Sequence, residues 1–139
     1  EYSLLNRKYE QDLAEFAITE DVGLLAWSPL AGGMISGKYL DGERPEGSRW
    51  SLEERALFRD TPQSEKAIKA YMELAESHGL DVCQMALAFV NQQPFVTSNI
   101  IGATSMEQLK INIDSIDVVL QSNVVDEINA IYKNYPRPF

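Results

Sequence analysis

Cysteine is almost missing from this 139-residue chain, which contains only Cys83. An internal disulfide and a cysteine-built metal site are therefore excluded. Cys83 falls in an apolar helical pattern with Met85, Ala86 and Phe89, so it is expected to be a buried, inert thiol rather than a nucleophile. Histidine is just as scarce. The single one, His78, precedes Gly79 at the end of a helical pattern, where an imidazole suits the helix dipole, and no carboxylate or nucleophile is patterned around it for catalysis.

Cations are few as well, 12 Lys and Arg against 21 Asp and Glu, for a formal net charge of -9. That balance speaks against nucleic-acid or anionic-membrane partners, which require clustered cations, but leaves room for a local pocket around one phosphate. No apolar run approaches the roughly 20 residues needed to cross a bilayer. No signal-peptide pattern is visible, so the cytoplasm is the expected compartment. The chain opens at Glu1-Tyr2 without a methionine, from which further sequence upstream is expected. What remains, 45% apolar and 24% charged residues, is the composition of an ordinary globular protein of single-domain length.

The stretch Gly23 to Tyr39, GLLAWSPLAGGMISGKY, organises the rest. Its apolar run, Gly23 to Trp27, reads as a buried parallel strand, and the small residues after Ser28-Pro29 read as a loop leaving the strand's carboxyl end. Ligands bind at that end in α/β sheets. Trp27 offers a flat aromatic face, Ser28 a hydroxyl, and Gly32-Gly33 close backbone approach, while Lys38 can reach a phosphate. Core packing of Trp27 and an ordinary turn at Ser28-Pro29 are the competing reading.

In chain order, Tyr2 to Leu5 suggests a strand, and Gln11 to Glu20 a helix that buries Leu13, Phe16 and Ala17. Leu30 to Trp50 shows no periodicity, and its Lys38, Arg44 and Arg49 are expected to contact an anion as part of a lid. Ser51 with Glu54 resembles a capped helix start. Helices are expected from Ser64 to Ser77, with Ile68, Tyr71, Met72 and Ala75 on the buried stripe, and from Asp81 to Gln92. Thr97 to Ile101 reads as a third strand. After it, Gly102-Ala103-Thr104 leads into a helix through Asn112, with Ser105 and Gln108 as a capping box; exposed amides there form a natural anion site. A last helix runs from Val124 to Tyr132. Two matching strand-loop units side by side point to a phosphorylated ligand held between their loops.

The segments YSLLNR (Tyr2 to Arg7), WSPLAGGMISGKY (Trp27 to Tyr39) and IIGATSMEQLKINI (Ile100 to Ile113) resemble the carboxyl-terminal half of the aldo-keto reductase family, and most closely its bacterial Tas-like branch, which is related to potassium-channel β-subunits. The resemblance implies an α/β fold, the part of a (β/α)8 TIM barrel that carries strands 6 to 8. Residues 1–139 would form one partial barrel domain without its amino-terminal half. It also implies NADP(H) as cofactor and small aldehydes or ketones as substrates. By position, Trp27 matches the residue against the nicotinamide, Ser28, Pro29, Leu30 and Ala31 the pyrophosphate loop, Lys38 a phosphate contact, and Arg49 a residue at the adenosine end. Gly102, Thr104, Gln108 and Asn112 match residues around the 2'-phosphate ribose and adenine. The family's proton-transfer set of aspartate, tyrosine, lysine and histidine belongs to the amino-terminal half, so no catalytic residue is assigned here. A half-barrel is expected to expose strand edges and apolar surface, and to associate with a second copy or with the missing half. A non-catalytic NADPH-binding module and a different phosphate-binding β/α barrel remain open.

Overall fold

A computed structural model describes residues 1–53 and 58–139. The apolar run in the organising stretch forms β1 (Leu24–Trp27), preceded by α1 (Leu13–Thr19). The chain then passes through 3₁₀ turns at Ala31–Ser36 and Leu40–Gly42 and the single-turn α2 (Arg49–Leu52) into α3 (Pro62–Ser77) and α4 (Val82–Asn91). It continues into β2 (Val96–Ile100), α5 (Met106–Asp114) and α6 (Ser122–Asn134).

β1 and β2 pair in parallel, with Leu25 opposite Ser98, Ala26 opposite Asn99 and Trp27 opposite Ile100. The register slips between Leu24 and Leu25. Gly23 leaves room for Thr97 at the slip: a Cβ there would lie 1.6 Å from Thr97 Oγ1 and 3.0 Å from its Cβ, so a side chain would clash with the threonine. A parallel pair needs a long crossover, and α3 and α4 supply it.

The core lies between the sheet and the helices. α4 carries an unbroken buried run from Met85 to Val90, fitting a helix packed on several sides. Tyr2, Leu4 and Leu5 enter the same core, and the Tyr71 hydroxyl on α3 donates to Leu4 O at 3.2 Å. Each such fully buried large side chain contributes roughly 1.5 to 3 kcal/mol. Helix starts follow the sequence's cap chemistry. Thr61 and Ser64 form a reciprocal capping box on α3 with Pro62 in its first turn, and Asp81 accepts the Gln84 amide at 2.9 Å to start α4. α3 ends through Gly79 in the left-handed region (φ 64°), with the Leu80 amide returning to Ala75 O at 2.8 Å.

Several expectations need correction. Tyr2 to Leu5 forms no strand. The Tyr2 amide reaches Trp27 O at 3.2 Å, but Ser3 and Asn6 then exchange amide hydrogen bonds and turn the chain away. The segment from Leu30 to Trp50 is not structureless, because buried Met34, Ile35 and Tyr39 anchor its 3₁₀ turns and Tyr39 stacks on Trp50 with ring centroids 4.3 Å apart. Ser51 lies inside α2 and donates its hydroxyl to Ser48 O instead of capping, and Glu54 lies outside the described residues. α1 packs through Ala14 and Ala17, leaving Leu13 and Phe16 more than half exposed, since small residues let the helix sit close.

Candidate functional site

Because β1 and β2 are parallel neighbours, the loops that follow Trp27 and Ile100 leave the sheet at the same end. The first loop adopts an uncommon backbone. Ser28 (φ 54°), Ala31 (φ 50°), Gly32 (φ 69°) and Gly33 (φ 96°) all lie in the left-handed region. Non-glycine residues rarely adopt it, so Ser28 and Ala31 mark a loop whose path is imposed by its surroundings. Pro29 and Ala31 are buried and Leu30 packs on the core, which fixes the loop from beneath.

The cations close over the glycines. A Cβ at Gly33 would stand 3.0 Å from Lys38 Cε and 3.2 Å from its Nζ, so the ammonium rests on this backbone because no side chain is there. Arg49 approaches the neighbouring position, with Cδ 3.9 Å and Nη1 4.0 Å from where a Gly32 Cβ would stand. Arg49 also has a partial partner in Glu53, at 3.8 Å, both side chains being well exposed. Lys38 Nζ lies 5.2 Å from the Tyr39 ring centroid. Two cations thus flank one glycine turn, an arrangement suited to an anion with several oxygens. Arg44 does not join them: it pairs with Asp60 and lies over the Trp50 ring at 4.8 Å.

The second loop is tied by its own side chains. Gln108 Oε1 accepts from the Thr104 amide at 3.0 Å and from its hydroxyl at 3.1 Å, while the Gln108 amide donates to Ser105 Oγ at 3.2 Å. Half of the expected capping box forms; the return bond goes to the Thr104 amide and hydroxyl rather than to the Ser105 amide. Asn112 is buried and donates from Nδ2 to Gly102 O at 3.1 Å, so it shapes the loop from behind, whereas Gly102, Thr104 and Gln108 are exposed. The structure therefore places Trp27, Ser28 to Ala31, Lys38 and Arg49 around the first loop, and Gly102, Thr104, Gln108 and Asn112 around the second.

Trp27 is 49% exposed on the open sheet face, next to Ile100 and close to Leu25. The groups able to move a proton lie elsewhere. Tyr2 is fully buried with its hydroxyl donated to Glu10, and burial raises both its phenol and that of Tyr71 above the ordinary tyrosine range. His78 Nε2 bonds Glu127 Oε1 at 3.0 Å, tying α3 to α6. Burial, reinforced by Asp81, pushes the Cys83 thiol up to about 11. Among the described residues no cluster of His, Cys, Asp and Glu suits a metal ion, and no helix is long and apolar enough to cross a membrane. What the sequence reading missed is the Tyr39–Trp50 stack that clamps the lid; the two residues share no periodicity, so only the folded loop reveals them.

Parallel strands, a helical crossover and two loops leaving the strands' carboxyl ends, the first with glycines and cations, define a β/α protein. Residues 1–133 match the Aldo/keto reductase family, and the chain belongs to it. Protein tas of Escherichia coli (strain K12) is 49% identical over 137 residues, covering 99% of this chain and 40% of that protein. A probable voltage-gated potassium channel subunit beta of Oryza sativa subsp. japonica is 36% identical over 146 residues, covering 99% of this chain and 44% of that protein. The corresponding protein of Arabidopsis thaliana is 32% identical over the same length. The chain spans less than half the length of these relatives.

Proposed function

We propose that this chain supplies the phosphate-binding side of an NADP(H) site in an aldo-keto reductase that reduces aldehydes or ketones in the cytoplasm. The observation that carries the reading is the seat of Lys38 on Gly33, with Arg49 beside Gly32, directly after a strand that ends in an exposed tryptophan. A dinucleotide pyrophosphate fits two cations over an open backbone turn. In this reading Lys38 and the Ser28–Ala31 loop hold the pyrophosphate, Arg49 the adenosine end, and Gly102, Thr104, Gln108 and Asn112 the ribose phosphate and adenine. Trp27 lies against the nicotinamide, which supplies hydride when bound.

Residues 1–139 then act as one partial barrel domain in which β1 and β2 are strands 7 and 8 and Tyr2 marks only the end of strand 6, and the carbonyl site with its proton donor is completed by polypeptide outside it. No residue of this chain is assigned to proton transfer. The similarity to potassium-channel β-subunits favours a second reading, an NADPH-binding regulatory module without turnover.

Titration of the chain with NADPH, followed by cofactor fluorescence, tests the site. Saturable binding is expected, weakened about tenfold or more in Lys38→Ala, as loss of one charge-assisted phosphate contact predicts. Equal affinity in the variant, or no binding by a folded chain, overturns the claim that these loops form the phosphate site. NADPH oxidation with a small aldehyde by the chain alone would overturn the absence of a proton-transfer group.

A further inference from the structure

One concavity is lined by none of the residues assigned to the proposed nucleotide loops. It is an open groove of about 600 Å³ between the carboxyl-terminal half of α3, the α3–α4 turn and the Leu40 turn. Its floor is aliphatic, formed by Leu40, Met72, Leu80 and Val82. The Met72 end of this floor is fixed: a Cβ at Gly37 would stand 2.6 Å from Met72 Sδ, and Gly37 needs its left-handed φ of 79°. The rim is acidic.

Glu73 and Glu76 stand one turn apart on α3, and Asp81 follows at the start of α4, all three exposed. Among the described residues neither Glu73 nor Glu76 pairs with a cation; the one lysine on the rim, Lys69, is held by Asp41 at 2.9 Å. The groove therefore presents an apolar floor beneath unneutralised carboxylates, in a size range that suits a few side chains. An anionic or purely apolar occupant would leave those carboxylates repelled or desolvated.

We propose that this groove is a docking site for a short basic segment of another protein, one that sets aliphatic side chains on Leu40, Met72, Leu80 and Val82 and lysine or arginine against Glu73, Glu76 and Asp81. Apolar anchors give such a segment its grip, and charge complementarity gives it selectivity over acidic partners. The site shares no residue with the proposed cofactor loops.

A short fluorescein-labelled peptide of leucine and lysine, titrated with the full chain and read by anisotropy, is the probe. Saturable binding that weakens with salt is expected, together with none for the matching leucine and glutamate peptide. Glu73→Gln/Glu76→Gln, two exposed changes that leave the fold intact by thermal melt, is expected to weaken binding by about tenfold. Glu15→Gln/Glu20→Gln, on α1 and at the residue capping its end, removes the same charge and is expected to change it less than about twofold. Absence of saturable binding, or an equal loss in both double variants, overturns the proposal. The second outcome would mean that the peptide responds only to the chain's overall negative charge.

Discussion

Gly33 concentrates the argument at the scale of single residues. Its φ of 96° and the 3.2 Å approach of Lys38 Nζ to its missing Cβ mean that a methyl group there meets both backbone strain and the ammonium. The strain of a left-handed alanine costs about 1 to 2 kcal/mol. The lysine tip can swing away, so Gly33→Ala is expected to fold with a modestly lowered melting temperature while losing about tenfold or more in NADPH affinity. A variant that binds as tightly as the parent would show that the lysine seat is incidental. The buried phenols give a separate, pH-dependent expectation. Tyr2 and Tyr71 are both buried to within 1% and held protonated, so their folded-state pKa values lie above the ordinary value of about 10. A raised pKa contributes stability that is fully present below the unfolded value and falls as pH rises above it. In a Cys83→Ala background, which removes the buried thiol whose raised pKa would also cost stability above about pH 9, guanidinium unfolding is therefore expected to show stability nearly constant to about pH 10, then falling by about 1.4 kcal/mol per pH unit for each phenol. A Tyr71→Phe variant, lacking one of these phenols, should show roughly half that slope.

Among elements, the helices were the most legible, because their signals are local. The sequence pattern puts the start of α3 at Ser64, its end at Gly79 and the start of α4 at Asp81. In the structure α3 begins two residues earlier, at Pro62, where Thr61 and Ser64 cap it, and Gly79 and Asp81 act as their chemistry dictates. Asp81→Ala removes an N-cap that accepts the Gln84 amide, and is expected to lower stability by about 1 kcal/mol without altering cofactor binding, read from thermal unfolding. The failures share a physical cause. Whether Tyr2 to Leu5 is a strand depends on a partner backbone, and only the Tyr2 amide finds one before the Ser3–Asn6 turn. Which face of α1 is buried depends on how closely a neighbour approaches, and contact through Ala14 and Ala17 turns Leu13 and Phe16 outward. The glycines and cations of the first loop were legible as residue types; that Arg44 would be drawn off to Asp60 was not, since the pairing joins positions far apart in sequence. Asn112 was legible as part of the second loop but not as its internal brace, a role fixed by the Gly102 carbonyl turning toward it.

Taken as a whole, the molecule has one sheet face packed on helices and one face open. Ala26 is fully buried toward the helices, while Leu25 (58%), Trp27 (49%) and Ile100 (51%) stand exposed, and the register sets Trp27 beside Ile100. A two-stranded sheet with an apolar open face and free edges invites cover, and relatives more than twice as long have additional chain that could provide it. Studied by itself, the chain is expected to self-associate through this face at high concentration, because Leu25, Trp27 and Ile100 gain free energy on leaving water. The net charge of -9 opposes association at low salt, so added salt should strengthen it by screening the repulsion. Sedimentation velocity across a concentration series, with and without salt, reads this directly. The double variant Leu25→Asn/Ile100→Asn replaces two exposed apolar side chains without entering the packed core, so it should move the population toward monomer while leaving the thermal transition of the monomer nearly unchanged. A parent chain that stays monomeric throughout would mean that the open face is tolerated in water, and that the additional length of the relatives is not needed to cover it.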